Sequence, residues 1–304
     1  MISVRKIFAT IMRKDITFQS LETVNLWKYI ITQLLRNKKG ITSLGIISVL
    51  ALIGIFAEFI APYPYDAQDL QNMLRPPSIG HIFGTDALGR DVLSRIIYGA
   101  RITIFIGFAI TFLTAILGIM LGLIAGYFGG VIDMIISKII EIFWAFPIIV
   151  IALGLTVVLG PGIRNVILVL GILLWVPFAK VIRTKTLVIR ENSFVKYAKA
   201  IGLPSIKIII KHIFLNVVPD IIVLFALTIP DAIISSAALS FLGLGVQPPT
   251  PEWGAILSDG RLYLMIAPWI SVFPGIFLLI LALSFNILGD VLRDVLDPFM
   301  RGRK

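Results

Sequence analysis

The chain has 304 residues, 58% of them hydrophobic and only 14% charged, with a mean hydropathy of +0.99. Soluble domains carry about a quarter charged residues, so a soluble enzyme is a poor description of this composition. No cysteine is present, which removes disulfides and thiol chemistry, and His81 and His212 are too far apart in the chain for a zinc-binding spacing.

The net charge of +10 leaves nucleic acid, an anionic membrane surface or the flanks of membrane helices as its explanation. No segment outside the apolar stretches is long enough to fold a basic soluble face, so nucleic acid is not an expected partner and membrane lipid is.

In chain order, residues 1–40 form a basic tail. Within 2–36, Val4, Ile7, Phe8, Ile11 and Met12 fall at near-helical spacing among Arg5, Lys6, Arg13 and Lys14, which suits either a helix lying on the inner leaflet or an ordinary cytoplasmic tail. The first apolar run opens at Gly40 and continues through Ala57 into a loop at Pro62 without a cleavage site, so it reads as a retained anchor. Uncharged stretches predict six transmembrane helices near 41–61, 101–128, 132–158, 163–183, 216–242 and 268–290. The fourth reaches spanning length because Arg164 and Lys180 can snorkel.

Of the 27 Lys and Arg, 21 fall in the N-terminal tail, the 127–138 turn, the 179–212 loop and the tail after 290; the opposite side holds Arg75, Arg90, Arg95, Arg101, Arg164 and Arg261. Positive charge stays on the cytoplasmic side, so both termini and the 184–215 loop are expected inside. The chain then divides into a cytoplasmic tail (1–40), a first span with a long extracytoplasmic loop (41–100), a core of five spans (101–292) and a cytoplasmic tail (293–304).

The outer loop, Pro62 to Ala100, contains His81-Ile-Phe-Gly-Thr-Asp-Ala-Leu-Gly-Arg-Asp-Val-Leu-Ser-Arg95. Gly84 and Gly89 permit backbone turns, and Asp86, Arg90, Asp91 and Arg95 are spaced to pair with one another or with backbone amides. This is either a rigid cap held by ion pairs or a gate element touching substrate. In the second helix Gly118-x-x-x-Gly122-x-x-x-Gly126 forms a small-residue ridge for close packing. Asp133 and Glu141, near the inner start of the third, suit a helix N-terminus. Pro147, Pro177 and Pro230 interrupt spans and are expected to kink them. Trp144, Trp175, Trp253 and Trp269 near span ends read as interface anchors.

In the inner loop, Ser193 can cap a short helix that Gly202 ends, with Pro204 beyond. Phe194, Tyr197, Ala198 and Ile201 fall on one face and Lys196 and Lys199 on the other. Such a helix lies in the membrane interface or plugs into a partner's groove, and either way it is an exposed knob. Asp231 is the one acidic residue well inside a span. A carboxylate there costs about 2.5–3.5 kcal/mol, so it should face the pathway or a partner, or be protonated; a substrate route tolerating a peptide's free amine and a buried, hydrogen-bonded structural role both stay open. No G-x-x-x-x-G-K-[ST] phosphate loop is present, so nucleotide-driven work would need another chain.

The stretch Phe194-Val-Lys-Tyr-Ala-Lys-Ala-Ile-Gly202, followed by His212-Ile-Phe-Leu-Asn216, resembles the EAA loop of ABC importer permeases. Phe83-Gly-Thr-Asp-Ala-Leu-Gly-Arg-Asp91, the Ala238–Gly254 segment Ala-Leu-Ser-Phe-Leu-Gly-Leu-Gly-Val-Gln-Pro-Pro-Thr-Pro-Glu-Trp-Gly and Phe285-Asn-Ile-Leu-Gly-Asp-Val-Leu-Arg-Asp-Val-Leu-Asp-Pro298 narrow the resemblance to the C-type permease of the oligopeptide/dipeptide/nickel import group, over about residues 40–300. It implies an all-α integral membrane protein with a coupling helix between helices four and five, in which Phe194, Lys196, Tyr197, Ala198, Ile201, Gly202, His212 and Asn216 serve ATPase coupling. It further implies a heterodimer with a second, B-type permease, two cytoplasmic ATPases carrying ATP and Mg, and an extracytoplasmic binding protein that delivers a peptide. The chain itself would bind no cofactor and catalyse nothing, and would sit in a bacterial or archaeal inner membrane. Asp86, Arg90, Asp91 and Arg95 would lie where the binding protein docks, as gate or docking residues. Nickel or a metal chelate is the alternative cargo, although the spans hold no soft or imidazole ligands; an ion-coupled carrier would show more spans and paired intramembrane charges. Two departures stand out. Lys196 replaces the motif's glutamate, implying a partner groove adapted to a basic residue, and Leu215 replaces a proline, predicting a straighter lead-in to helix five.

Overall fold

The computed structural model of the chain describes residues 26–296. The segment 2–25, with its surface-helix or tail alternatives, and the end of the C-terminal tail from 297 lie outside the described residues. Among the described residues the regular elements are helical, with one isolated Thr85–Asp91 bridge and no strand.

The first described helix, α1 (Leu26–Arg36), buries Ile30 and Leu34, one turn apart, against Val291, Leu292 and Leu296 near the end of the last helix. Asn37 then accepts the amides of Lys39 and Gly40 and starts α2 (Lys38–Ile55), leaving a donorless turn for neither helix. After a helical turn at Ala57–Ile60, a long loop runs to Asp91, whose carboxylate accepts Ser94 N–H and opens α3 (Val92–Phe128). The 37 residues of α3 give a rod of about 55 Å at 1.5 Å per residue. It begins nine residues before the predicted 101, so the domain boundary drawn at 100 falls inside it. The reason is physical: Arg95 and Arg101 mark where apolar composition stops, whereas the capping carboxylate of Asp91 marks where the helix starts.

Two glycines at positive φ, Gly129 and Gly130, turn the chain into α4 (Gly130–Trp144). The predicted single span 132–158 is instead two helices, α4 and α5 (Ile148–Leu159), bent by 86° at the break before Pro147. Proline has no N–H to continue α4, so apolar composition carried on where helix geometry could not. A second break at Leu174 and Trp175 separates α6 (Ile163–Leu173) from α7 (Val176–Arg190), with Pro177 in the first turn of α7. Beyond α8 (Ser193–Ala200), a helical turn at Ser205–Ile208 and a π-helical turn at Ile209–Phe214 lead without interruption into α9 (Leu215–Phe241). The expected lead-in is thus continuous but contains one widened turn. Pro230 lies buried inside α9 and does not interrupt it. The last elements are α10 (Trp253–Gly260) and α11 (Trp269–Leu296). Among the described residues, five helical segments are long and apolar enough to cross a membrane, six if the bent α4–α5 pair counts as one span.

The glycine ridge of α3 packs on α7. A Cβ at Gly118 would come within 2.4 Å of Phe178 Cβ, one at Gly122 within 2.8 Å of Ala179 O, and one at Gly126 within 2.5 Å of Thr186 Cβ. Hydrogen is the only side chain this seam admits. At the other end of α3, Trp253 is fully buried, and its Nε1 donates to Ile96 O at 2.9 Å. Trp175 is buried edge-on to Phe143, and Trp269 Nε1 donates to Thr85 O. Trp253 and Trp175 are interior fasteners rather than interface anchors, and the half-buried Trp269 ties the loop at Thr85 to the start of α11. Trp144 stays exposed, with the Lys180 ammonium 4.0 Å from its ring centroid.

Gly126→Ala should cost about 1–3 kcal/mol by overpacking and lower the thermal transition of the detergent-purified protein. Gly154→Ala, where a Cβ meets nothing within 4 Å, should hold or raise it, by up to about 1 kcal/mol of helix propensity.

Candidate functional site

Helix α7 carries two arginines that tie three helices together. Arg183 clamps Asp133, in the first turn of α4, through Nε to Oδ1 and through Nη2 to Oδ2 at 2.7 Å. Arg190 Nη1 donates to Gly126 O at 3.1 Å and Tyr127 O at 3.4 Å, the last carbonyls of α3. Beyond it, Glu191 pairs with Lys196 at 3.1 Å and with Arg190 at 3.3 Å; the Lys196 ammonium, then Arg190, holds its carboxyl below the usual range.

Helix α8 follows on this anchor. Asn192, not Ser193, holds the cap position, without a side-chain hydrogen bond; Ser193 is the first helical residue. The C-terminal expectation holds: Gly202 has φ +78°, with Gly202 N–H donating to Lys199 O at 3.0 Å and Leu203 N–H to Ala198 O at 3.1 Å. The predicted four-residue face is divided. Ala198 is buried with Val195 among Ile182, Ile208, Ile213 and Val217, and Phe194 is half-buried with its ring centroid 6.4 Å from that of His212. Tyr197 and Ile201 instead remain 70% and 61% exposed. Lys196 and Lys199 are exposed too, Lys199 with its ammonium 4.7 Å over the Tyr127 ring. His212 lies in the π-turn and Asn216 in the first turn of α9, where Asn216 Nδ2 donates to His212 O at 2.6 Å. Val195 was missed because the stripe was drawn through Phe194 and Tyr197; its i, i+3 relation to Ala198 is the signal that finds the inward face.

Around the start of α3, three of the four charged residues of the 81–95 segment converge. Asp86 Oδ2 accepts Arg90 Nε at 2.7 Å and Arg95 Nη1 at 2.6 Å, while its Oδ1 accepts the amides of Leu88 and Arg90. The same arginines reach Asp259 of α10 at 3.2 and 3.0 Å. Asp91 stands apart, holding Ser94 and, through Oδ1, His81 Nδ1 at 2.9 Å. Asp86 and Arg95 are 1% exposed, and Arg90 and Asp91 are also buried, so in this conformation the group is a cap and not a surface. Asp259 and His81 were not legible: one is supplied by a distant helix, and the other was seen only as a lone histidine. Beside this cap, Glu252 is wholly buried at the start of α10, accepting Gly254 and Ala255 N–H at 3.0 Å each; burial pushes its carboxyl above the usual value against those amides.

Asp231, midway along α9, is exposed on the helix surface and lines a cleft of about 280 Å³ with Ile148, Leu174, Pro177 and Ser235. The buried, hydrogen-bonded role weighed for it is not what the structure has. Among the described residues no group of three or more His, Asp or Glu could hold a metal ion.

Residues 118–302 match the family described as binding-protein-dependent transport system inner membrane component, and residues 25–77 match the N-terminal TM domain of oligopeptide transport permease C. The glutathione transport system permease protein GsiD of Escherichia coli O157:H7 and that of Shigella sonnei are each 43% identical over 270 residues, covering 88% of both chains. The GsiD of Shigella dysenteriae serotype 1 is 42% identical over the same length and share. A chain from an inward-facing crystal structure of the MetNI methionine ABC transporter shares the fold at TM-score 0.54 and 19% identity, over 66% of this chain and 96% of its own.

Asp86→Asn should cost about 3–5 kcal/mol, the penalty for stripping one partner from a buried ion network, read as a lower thermal transition. For Glu252 the folded carboxyl binds its proton more tightly than the unfolded one, so its stability contribution is full below about 4.5, the ordinary value, and is lost as pH rises through the folded value. Glu252→Gln should flatten that part of the stability–pH profile.

Proposed function

Since the chain belongs to the family of binding-protein-dependent transport system inner membrane components, as a multi-pass permease of an ABC importer in the inner membrane, we propose that it forms half of a peptide pathway and takes up ATP-driven motion through α8. Its termini and the 184–215 loop lie in the cytoplasm, where two ATPase subunits carry ATP and Mg; the other half of the pathway is a second, B-type permease. A binding protein docks on the outer side, over the cap that contains Asp86, Arg90, Asp91 and Arg95. The tails (1–40 and 293–304) and the first span with its loop (41–100) flank a five-span core (101–292).

One observation carries the coupling role: Tyr197 and Ile201 are exposed on a helix whose opposite face, Val195 and Ala198, is packed into its own chain. A knob so fixed cannot swing independently, so a push on Tyr197 and Ile201 moves the body it is seated in. Lys196 does not point unpaired at a partner; it is engaged by Glu191, which offsets the charge reversal relative to the EAA motif. Phe194, His212, Gly202 and Asn216 hold α8 to the start of α9 and have a positioning role. Closure of the ATPase pair on nucleotide then biases a two-state equilibrium between inward-open and outward-open forms. Peptide cargo is supported by the glutathione named for the 43% identical relatives.

Tyr197→Asp and Ile201→Asp should each reduce co-purification of the ATPase subunits and lower uptake ten-fold or more, while the permease itself keeps its thermal transition. Ala198→Asp, buried, should lower the transition as well. Uptake should stop on ATP depletion and survive collapse of the proton gradient; the opposite pattern excludes the importer mechanism for this chain.

A further inference from the structure

Asp231 is ten residues from the end of α9 at Phe241, about 15 Å at 1.5 Å per residue, inside a helical segment, Ser205–Phe241, that is long and apolar enough to cross a membrane. Among the described residues no cation and no hydrogen-bond donor pairs with it, and it is exposed. A lone carboxylate at that depth is costly and calls for a partner.

The walls of its cleft supply a second, independent observation. Ile148 and Ile149 open α5 just after the 86° bend, and Leu174 and Pro177 flank the break between α6 and α7. Both discontinuities therefore meet at the cleft. Interrupted backbone at membrane depth is tolerated where it is buried in protein or lines a cavity, and in transporters such breaks mark binding sites. Ser235 lies four residues on from Asp231, on the same helix face and in the same cleft. The result is an apolar pocket with one anion and one hydroxyl at one wall. That set suits a primary ammonium, which offers three donors and a single positive charge.

We propose that Asp231 receives the protonated amino group of the peptide cargo as it crosses the membrane, with Ser235 as the second acceptor, so that the permease itself selects for a free amine. This rests on the peptide-importer reading. No covalent step is involved.

The test uses the complete transporter, purified with its companion chains, reconstituted in vesicles and supplied with its binding protein; the probes are glutathione, trialanine and N-acetyltrialanine. Asp231→Asn should lower uptake of glutathione and trialanine roughly ten-fold or more, the scale of a charged hydrogen bond, and reduce the preference for trialanine over its acetylated form by the same factor. Asp231→Glu should restore both. Unchanged uptake in Asp231→Asn, a wild type with no preference for the free amine, or no recovery in Asp231→Glu each overturns the inference. So does loss of a companion permease from the purified Asp231→Asn complex, which would make the residue an interface contact. If the wild-type transporter shows no ATP-dependent uptake of glutathione or trialanine, the peptide reading itself falls, and this inference with it.

Discussion

Everything around α8 depends on how closely α7 can approach α3. Because Gly118, Gly122 and Gly126 present no Cβ, the backbone of α7 lies directly against the backbone of α3, with Ala179 O and Arg183 O in the space a side chain would fill. In hydrocarbon the hydrophobic effect does not drive two apolar helices together, so close van der Waals contact of this kind is what holds them. The seam also sets register. With α7 pinned, Arg183 arrives opposite Asp133 and Arg190 arrives at the open carbonyls of α3. Helix α8 then starts three residues beyond a fixed point, Arg190, instead of hanging from a loop.

The opposite end of α3 is held by a different kind of force. Two arginines and two aspartates are taken largely out of water, where removing ions from solvent offsets much of their mutual attraction. Such a group adds little net stability but tolerates few arrangements, and here it joins the loop before α3 to α10, more than 150 residues later. The neighbouring indole of Trp253, hydrogen-bonded to Ile96 O and seated over Gly99, gives the same junction its apolar filling. The short α10 is thereby made part of the α3 body.

Much of the architecture was legible because hydropathy over a span-length window is a strong signal: α2, α3, α9 and α11 all fall where uncharged stretches predicted helices. Helix ends were legible only where a specific chemical group sets them, as Gly202 does for α8. The start of α3 was misplaced because Arg95 looks like a membrane boundary until Asp86 and Asp259 are known to neutralise it. The bend at Pro147 was foreseen as a kink, but its 86° follows from packing against α6 and α7 that no local pattern encodes. In the 184–215 loop, periodicity put four residues on one face; it could not say which edge of that face the chain would use for itself. The division between Ala198 and Tyr197 comes from Ile182, Ile208 and Val217, all brought in by other helices.

The long helix α3 has both of its ends tied, Asp91 with Ser94 and His81 at one and Arg190 at the other. Between them lies an unbroken run of 37 residues without a proline. A rod of about 55 Å gripped in this way behaves as a lever: a tilt of about one degree at one end displaces the other by about 1 Å. A displacement applied near Arg190 would therefore reach the Asp86 cap as a rigid movement of the helix, with no relay of side-chain rearrangements needed.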